Sequence, residues 1–175
     1  MLPETLYKII NNDPELTSLN LDNSSLDFSK RLVLTDIDIK NLAEALANNT
    51  HLKSLSLRNI NISTVGLSYL CTALKSNKTL QVLNLSYNPI KKEGLVSLFE
   101  ALKENQSLQK LSLRGVSIFP AELASLETFL IDNFSIRELE VDPQFKYTIK
   151  KFIEKLKMGF KYNIYVIFWN TDLDP

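Results

Sequence analysis

Residue types that could carry covalent or metal chemistry are scarce in this sequence. The chain of 175 residues has one cysteine, Cys71, and one histidine, His51. A cysteine nucleophile needs a neighbouring base or cation to become a thiolate, and no basic residue adjoins Cys71. A metal site needs several ligands at close spacing, and His51 is the only histidine available for one. We therefore expect no catalytic, metal-binding or cofactor-binding site, and no enzyme.

The charge balance argues against a strongly charged partner. Twenty lysine and arginine residues balance twenty aspartate and glutamate residues. A neutral chain has no global field that would draw it to nucleic acid or an anionic membrane, and no apolar run is long enough to span a bilayer. The opening MLPETLYKII lacks the pattern of a secretory signal, and a single cysteine excludes an internal disulfide framework. We expect a cytoplasmic protein in which charged recognition is local.

An internal repeat supplies the elements that position the polar residues. The stretches LKSLSLRNINISTVGLSYLCTALKSNKT from Leu52 and LQVLNLSYNPIKKEGLVSLFEALKENQS from Leu80 carry apolar residues at the same offsets, 28 residues apart. We predict a single domain, 1–175. Its predicted segments are an N-terminal capping helix at 1–15, a first repeat at 16–51 with an insertion near 22–31, regular repeats at 52–79, 80–107 and 108–135, a degenerate repeat at 136–163, and a terminal strand and tail at 164–175.

Each repeat combines two hydrophobic periods. Leu83 and Leu85 alternate with polar residues, as in a strand with one buried face, whereas Leu95, Leu98 and Leu102 recur at helical spacing. Such a unit buries its apolar residues only when equivalent units stack beside it. The sequence therefore predicts an α/β fold with a parallel sheet of about six strands on one side and helices on the other.

The pattern L-x-x-L-x-L-x-x-N-x-I-x-x-x-G-x-x-x-L-x-x-A-L-x-x-N runs from Leu80 to Asn105. It resembles the leucine-rich repeats of the ribonuclease-inhibitor-like subfamily, and similar arrays occur in tropomodulins, NOD-like receptors and bacterial effectors. The resemblance implies a horseshoe solenoid whose concave face holds another macromolecule. It implies binding of a protein partner, with no small-molecule substrate and no cofactor.

The resemblance also implies a ladder of loop asparagines that bond to the turns after the strands. Asn88 occupies this position, but Ile60, Val116 and Gln144 replace it in other repeats. We therefore expect that ladder to be mostly absent.

Strand alternation indicates which side chains lie on the concave face, since they alternate with the inward leucines. The candidate partner-binding residues are Arg58, Asn84, Lys110, Arg114, Glu138, Glu140, Asp142 and Phe168. One interpretation is a charge-patterned docking surface. The alternative is that Lys110 pairs with Glu138, and Arg114 with Asp142, across adjacent strands about 4.8 Å apart. Because exposed ion pairs are common and contribute little, we favour the pairs, which leave Arg58 and Glu140 without a predicted partner.

Two classes of function remain open on this sequence. The first, which we favour, is a non-catalytic interaction module, either a bacterial effector secreted into the host cytosol or a eukaryotic cytosolic adaptor. The second is the substrate-targeting part of a larger enzyme such as a ubiquitin ligase. Analogy of fold alone supports either class of function.

Overall fold

The computed structural model describes residues 2–23, 33–116, 120–143 and 165–168, with side chains within 4–23, 33–116 and 124–143. Five α-helices and six β-strands lie within these ranges. In chain order they are α1 Leu2–Ile10, β1 Ser18–Asn20, α2 Asp36–Asn48, β2 Ser54–Ser56, α3 Thr64–Ser76, β3 Val82–Asn84, α4 Lys92–Glu104, β4 Lys110–Ser112, α5 Pro120–Asp132, β5 Glu138–Val141 and β6 Tyr165–Phe168.

The strands form one parallel sheet, and their order in the sheet is their order in the chain. The register follows the repeat, because Ser54 pairs with Val82, Val82 with Lys110, and Lys110 with Glu138. Each of the helices α2 to α4 also contacts the next helix along the chain. The predicted α/β class with a parallel sheet is confirmed.

The core lies between the sheet and the helices. On β3 and just after it, Leu83 and Leu85 are buried, while the intervening Asn84 is half-buried. The helices contribute their regularly spaced apolar residues, and Phe99 of α4 stacks on Phe129 of α5 with ring centroids 5.6 Å apart. Each fully buried leucine contributes about 1.5–3 kcal/mol, and this burial requires a neighbouring unit to supply the covering surface.

Hydrogen-bonding side chains fix where two of the helices begin. Thr35 accepts from the backbone N–H of Asp38, and the Asp38 carboxylate accepts from the backbone N–H of Thr35, which is a capping box. The Thr35 hydroxyl also donates to the Asp38 carboxylate at 2.7 Å, and this bond together with the one from the Thr35 N–H holds the pKa of Asp38 below its ordinary value. Ser63 plays the equivalent part for α3 by accepting from the N–H of Gly66. The helix starts are therefore set locally, one repeat apart.

A row of buried asparagines joins the repeats, and we call it the asparagine ladder. Its members are Asn49, Asn77, Asn105 and Asn133, each at most 3% exposed. Each side-chain amide donates to a carbonyl in the last turn of the preceding helix, as Asn105 does to Leu74. The side-chain oxygen of Asn105 accepts from the N–H groups of Ser107 and Leu108 at the entrance to β4. The ladder thus satisfies backbone groups that a helix end leaves without partners.

The loop asparagine that the resemblance implied behaves as predicted where the structure describes it. Asn88 is 3% exposed and donates to the carbonyl oxygens of Leu57 and Leu85. Ile60 and Val116 replace it in the adjacent repeats with buried apolar side chains, so this row holds few hydrogen bonds. The asparagine ladder lies at the opposite edge of the sheet, before the strands, and the sequence analysis missed it.

The register of β6 differs from the 28-residue period. The 28-residue period would pair Phe168 with Glu140, on the face that carries the charged residues. In the structure Ile167 pairs with Glu140, and Phe168 pairs with the buried Val141. The connection is one residue shorter than the period. The assignment of Phe168 to the partner-binding face stays a prediction.

The predicted insertion near 22–31 lies mostly outside the described residues, as does Gln144. The predicted N-terminal helix is present as α1. Its last turn joins the asparagine ladder, since the Asn49 amide donates to the carbonyl oxygen of Ile9 at 3.1 Å. The capping role of this helix stays a prediction.

Truncating a strand leucine tests the core. We expect Leu83→Ala to lower the free energy of unfolding by about 2–5 kcal/mol, because it removes contacts and leaves a cavity. Val82→Ala, on the half-buried side of the same strand, is the control and should cost less than about 1 kcal/mol. Urea denaturation measures both. Equal losses in the two variants would contradict the inward position of Leu83.

The asparagine ladder has its own test. Asn105→Ala leaves two carbonyl oxygens and two backbone N–H groups without their side-chain partner. We expect a loss of at least about 2 kcal/mol in unfolding free energy, because each unsatisfied buried polar group costs about 1–3 kcal/mol. Asn41→Ala, on the exposed side of α2, should change stability by no more than about 0.5 kcal/mol. Thermal unfolding that does not separate the two variants would rule out a structural role for the ladder.

Candidate binding face

One face of the sheet presents the side chains that alternate with the buried leucines, and we call it the strand face. Its members on β1 to β5 are Ser18, Asn20, Ser54, Ser56, Val82, Asn84, Lys110, Ser112, Glu138 and Glu140. The face is uncharged on β1 to β3 and charged on β4 and β5. Asn84 uses its side-chain oxygen locally, since it accepts from the backbone N–H of Ser86 at 3.0 Å.

The charged end of the strand face is an internally paired cluster. The ammonium of Lys110 lies 2.6 Å from a carboxylate oxygen of Glu138 and 2.5 Å from one of Glu140. The second oxygen of Glu140 accepts from the hydroxyl of Ser112 at 2.7 Å. The predicted Lys110 to Glu138 pair is confirmed. Glu140, for which no partner was predicted, is 8% exposed and is paired through a diagonal contact with the neighbouring strand.

The titration of this cluster follows from its contacts. Burial alone would raise the pKa of Glu140, but hydrogen bonds from Lys110 and Ser112 and the charges of Lys110 and Arg114 outweigh it, so the pKa lies below its ordinary value. Burial disfavours the charged form of Lys110, but hydrogen bonds to Glu138 and Glu140 raise its pKa. Both groups are therefore held in their charged forms, which neutralise each other.

A second set of polar residues follows the strands and lies along the edge of the sheet, and we call it the edge row. Its members are Asp22, Arg58, Ser86, Arg114 and Asp142. The carboxylates at its two ends bind the neighbouring turns. Asp22 accepts from the backbone N–H of Arg58 and from the Ser56 hydroxyl, and Asp142 accepts from the backbone N–H of Gly115.

The two arginines of the edge row converge on one exposed ring. The guanidinium carbons of Arg58 and Arg114 lie 4.6 and 5.7 Å from the centroid of the Tyr87 ring, within the range of a cation–π interaction. We call these three residues the arginine–tyrosine cluster. The structure therefore brings two predicted site residues together through a tyrosine that the sequence analysis missed. The predicted pair between Arg114 and Asp142 stays a prediction.

The repeat alignment contained a signal for Tyr87. Asn59, Tyr87 and Gly115 stand one repeat apart, and all three have a left-handed backbone, with φ of 55°, 57° and 66°. Asparagine and glycine are common in this conformation, and tyrosine is not. A tyrosine that aligns with an asparagine and a glycine at a turn is therefore not the residue that local backbone preference would select.

Cys71, the one cysteine of the chain, packs in the hydrophobic core. Cys71 is buried in α3, and burial raises the pKa of its thiol to about 12, with the nearby Lys75 opposing this effect. A thiol with that pKa is protonated at neutral pH and is a poor nucleophile. Among the described residues, no group of three or more His, Cys, Asp and Glu side chains is placed to hold a metal. Within the same residues, no helix is long and apolar enough to cross a membrane.

Comparisons with known proteins agree with this fold. The sequence model of the TMOD/LMOD leucine-rich domain matches residues 2–118. The structure of leiomodin-1 actin-binding site 2 superposes with a TM-score of 0.72 at 26% identity, covering 90% of this chain and 92% of that chain. The tropomodulin C-terminal domain from Caenorhabditis elegans superposes with a TM-score of 0.72 at 18% identity, covering 90% and 93%. A search of curated proteins found no match.

Acid titration tests the paired cluster. Because the pKa of Glu140 is lowered in the folded protein, its contribution to stability is present above its ordinary pKa of 4.5 and is lost as pH falls through the folded pKa. Urea denaturation between pH 7 and pH 3 should show that Glu140→Gln is less stable than the wild type at pH 7. The gap should narrow towards pH 3. A gap that stays constant would contradict the ion pairing.

Proposed function

The chain belongs to the TMOD/LMOD leucine-rich domain family, and from this premise we propose that it is a non-catalytic module that binds actin. One observation carries the proposal. Leiomodin-1 actin-binding site 2 is 26% identical to this chain, and the similarity extends over nearly all of both chains. Actin binding by that domain therefore comes with the same repeat architecture that this chain folds into. The proposed partner is a protein, and the proposed site of action is the cytoplasm.

We propose that the strand face is the concave side of a horseshoe and, with the edge row, forms the contact surface for actin. Two properties support this choice. Its side chains are short in the middle, where Ser54, Ser56 and Asn84 leave room for a convex partner. Its charges lie at one end and along one edge, where they can orient the partner. A stable contact requires about 800 Å² on each partner.

The two groups of charged residues would contribute differently. Lys110, Glu138 and Glu140 bind one another, so they hold the shape of the face and add little net attraction. Arg58 and Arg114 stand on an exposed ring along one edge of the face. Charges at the rim of an interface mainly set orientation and the rate of association. The candidate residue Asn84 lies on β3 of the strand face, and Asp142 lies at one end of the edge row.

The other functions left open by the sequence use the same surface. A bacterial effector delivered into a host cell, or an adaptor of a eukaryotic cytosol, would bind its target with this face. The substrate-targeting part of a larger enzyme would do so as well. Family membership favours actin as the target in each case, because leiomodin-1 actin-binding site 2 shares this repeat architecture.

Matched substitutions on the two sides of the molecule test the proposal. Val82→Arg places a long cation in the middle of the strand face, and Val65→Arg makes the same change on the exposed side of α3. Binding to monomeric and filamentous actin is measured by fluorescence anisotropy and co-sedimentation. We expect the wild type and Val65→Arg to bind alike, and Val82→Arg to bind at least about tenfold more weakly, a difference of about 1.4 kcal/mol.

Two results would contradict the proposal separately. A wild-type protein that binds neither form of actin would refute actin as the partner. Equal binding by Val82→Arg and Val65→Arg, with circular dichroism showing both folded, would refute the strand face as the contact surface.

A further inference from the structure

The arginine–tyrosine cluster contains a residue choice that folding alone does not favour. Tyr87 has φ of 57°, in the left-handed region, where the equivalent positions of the adjacent repeats carry Asn59 and Gly115. Those two residues adopt this conformation at low cost, whereas a tyrosine gains nothing from its side chain there unless the ring makes useful contacts. The ring of Tyr87 is exposed to 38%. Packing in the core therefore does not explain why a tyrosine occupies position 87.

The neighbouring repeat makes room for this ring. A Cβ atom added at Gly115 would lie 2.6 Å from Cδ1 of Tyr87, which is closer than carbon atoms approach. Gly115 also has φ of 66°, and its backbone N–H is held by the carboxylate of Asp142. Glycine at position 115, in its left-handed conformation, thus leaves space for the Tyr87 ring.

The charges around the ring favour an anion. Two guanidinium groups approach the same ring, so a segment that binds at Tyr87 lies within reach of two positive charges. The carboxylates at the ends of the edge row accept from backbone N–H groups of Arg58 and Gly115, and the charge of Arg114 also acts on the Glu140 carboxylate. Arginine binds carboxylates through paired, charge-assisted hydrogen bonds, and a tyrosine face covers the apolar stem of the same side chain.

We propose that the arginine–tyrosine cluster is the binding site for an acidic segment of the protein partner, with Arg58 and Arg114 holding its aspartate or glutamate carboxylates and Tyr87 packing against it. The inference rests on the proposed function, in which the partner is actin, and it adds the chemistry of the recognised segment. Gly115 is a positioning residue, because it acts through Tyr87. Tyrosine and arginine are also the residue types that dominate binding energy at protein interfaces.

Removal of the two positive charges is the first test. Arg58→Gln with Arg114→Gln is compared with Lys40→Gln and Lys78→Gln, which remove two charges elsewhere; Lys40 lies over the Tyr69 ring and is a matched cation. Actin affinity is measured from low to high KCl. We expect the arginine variant to bind at least about tenfold more weakly at low salt, and with a smaller salt dependence, while the lysine variant behaves as the wild type. Equal affinity and equal salt dependence in both variants would overturn the inference.

Replacement of the tyrosine by the residue of the preceding repeat is the second test. Tyr87→Asn removes an aromatic ring and installs a residue that favours the left-handed conformation. We expect the melting temperature to be kept or raised while actin binding weakens at least about tenfold. A lower melting temperature with unchanged binding would mean that the ring serves the fold, and would overturn the inference.

A probe without actin separates this inference from the proposed function. The wild type is titrated with a decapeptide of glutamate and with a decapeptide of glutamine, and amide resonances are followed by NMR. We expect the acidic peptide alone to shift the resonances of Tyr87, Arg58 and Arg114. If actin does not bind but these shifts occur, the cluster is supported as a site for an acidic segment, and actin is refuted as the partner. If actin binds and the acidic peptide shifts no resonance of the cluster, the acidic segment is refuted and actin binding remains.

Discussion

The hydrogen bonds of the asparagine ladder are the constraint on which the other features depend. Each rung ties the end of one helix to the end of the preceding helix and to the entrance of the next strand, as Asn105 does for α4, α3 and β4. A buried amide with four satisfied bonds tolerates no slip between repeats. The leucines pack in register because that step is fixed, and the hydrophobic contribution they make is larger but less directional.

A fixed step between repeats also explains how the binding face is built. Residues that are 28 positions apart in the chain become neighbours across the sheet, as Lys110 and Glu138 are. Rows of side chains therefore behave as units, and a change in one repeat acts on its two neighbours. The Tyr87 ring depends in this way on Gly115 of the following repeat and on Arg58 of the preceding one. A partner that binds such a surface therefore contacts side chains from several repeats at once.

Periodicity predicts much of this structure, because the spacing of apolar residues shows which positions are buried. Leu83 could be placed inward from alternation, and the helices from their spacing, without knowing any contact. Three features depended on geometry that spacing does not contain. Asn105 recurs visibly, but its role needs the position of a helix end. Glu140 pairs diagonally rather than directly across. Phe168 follows a connection that is one residue shorter than the period.

The asparagine ladder is incompatible with glycans on its own members. Asn77, Asn105 and Asn133 are each followed two residues later by serine or threonine, so all three are acceptor sequences for N-linked glycans. Their amide nitrogens are the donors of the ladder, and their side chains are at most 1% exposed. A sugar attached during passage through the endoplasmic reticulum would remove a donor and could not fit within the stack. Glycans on these three asparagines would therefore oppose assembly of the repeats.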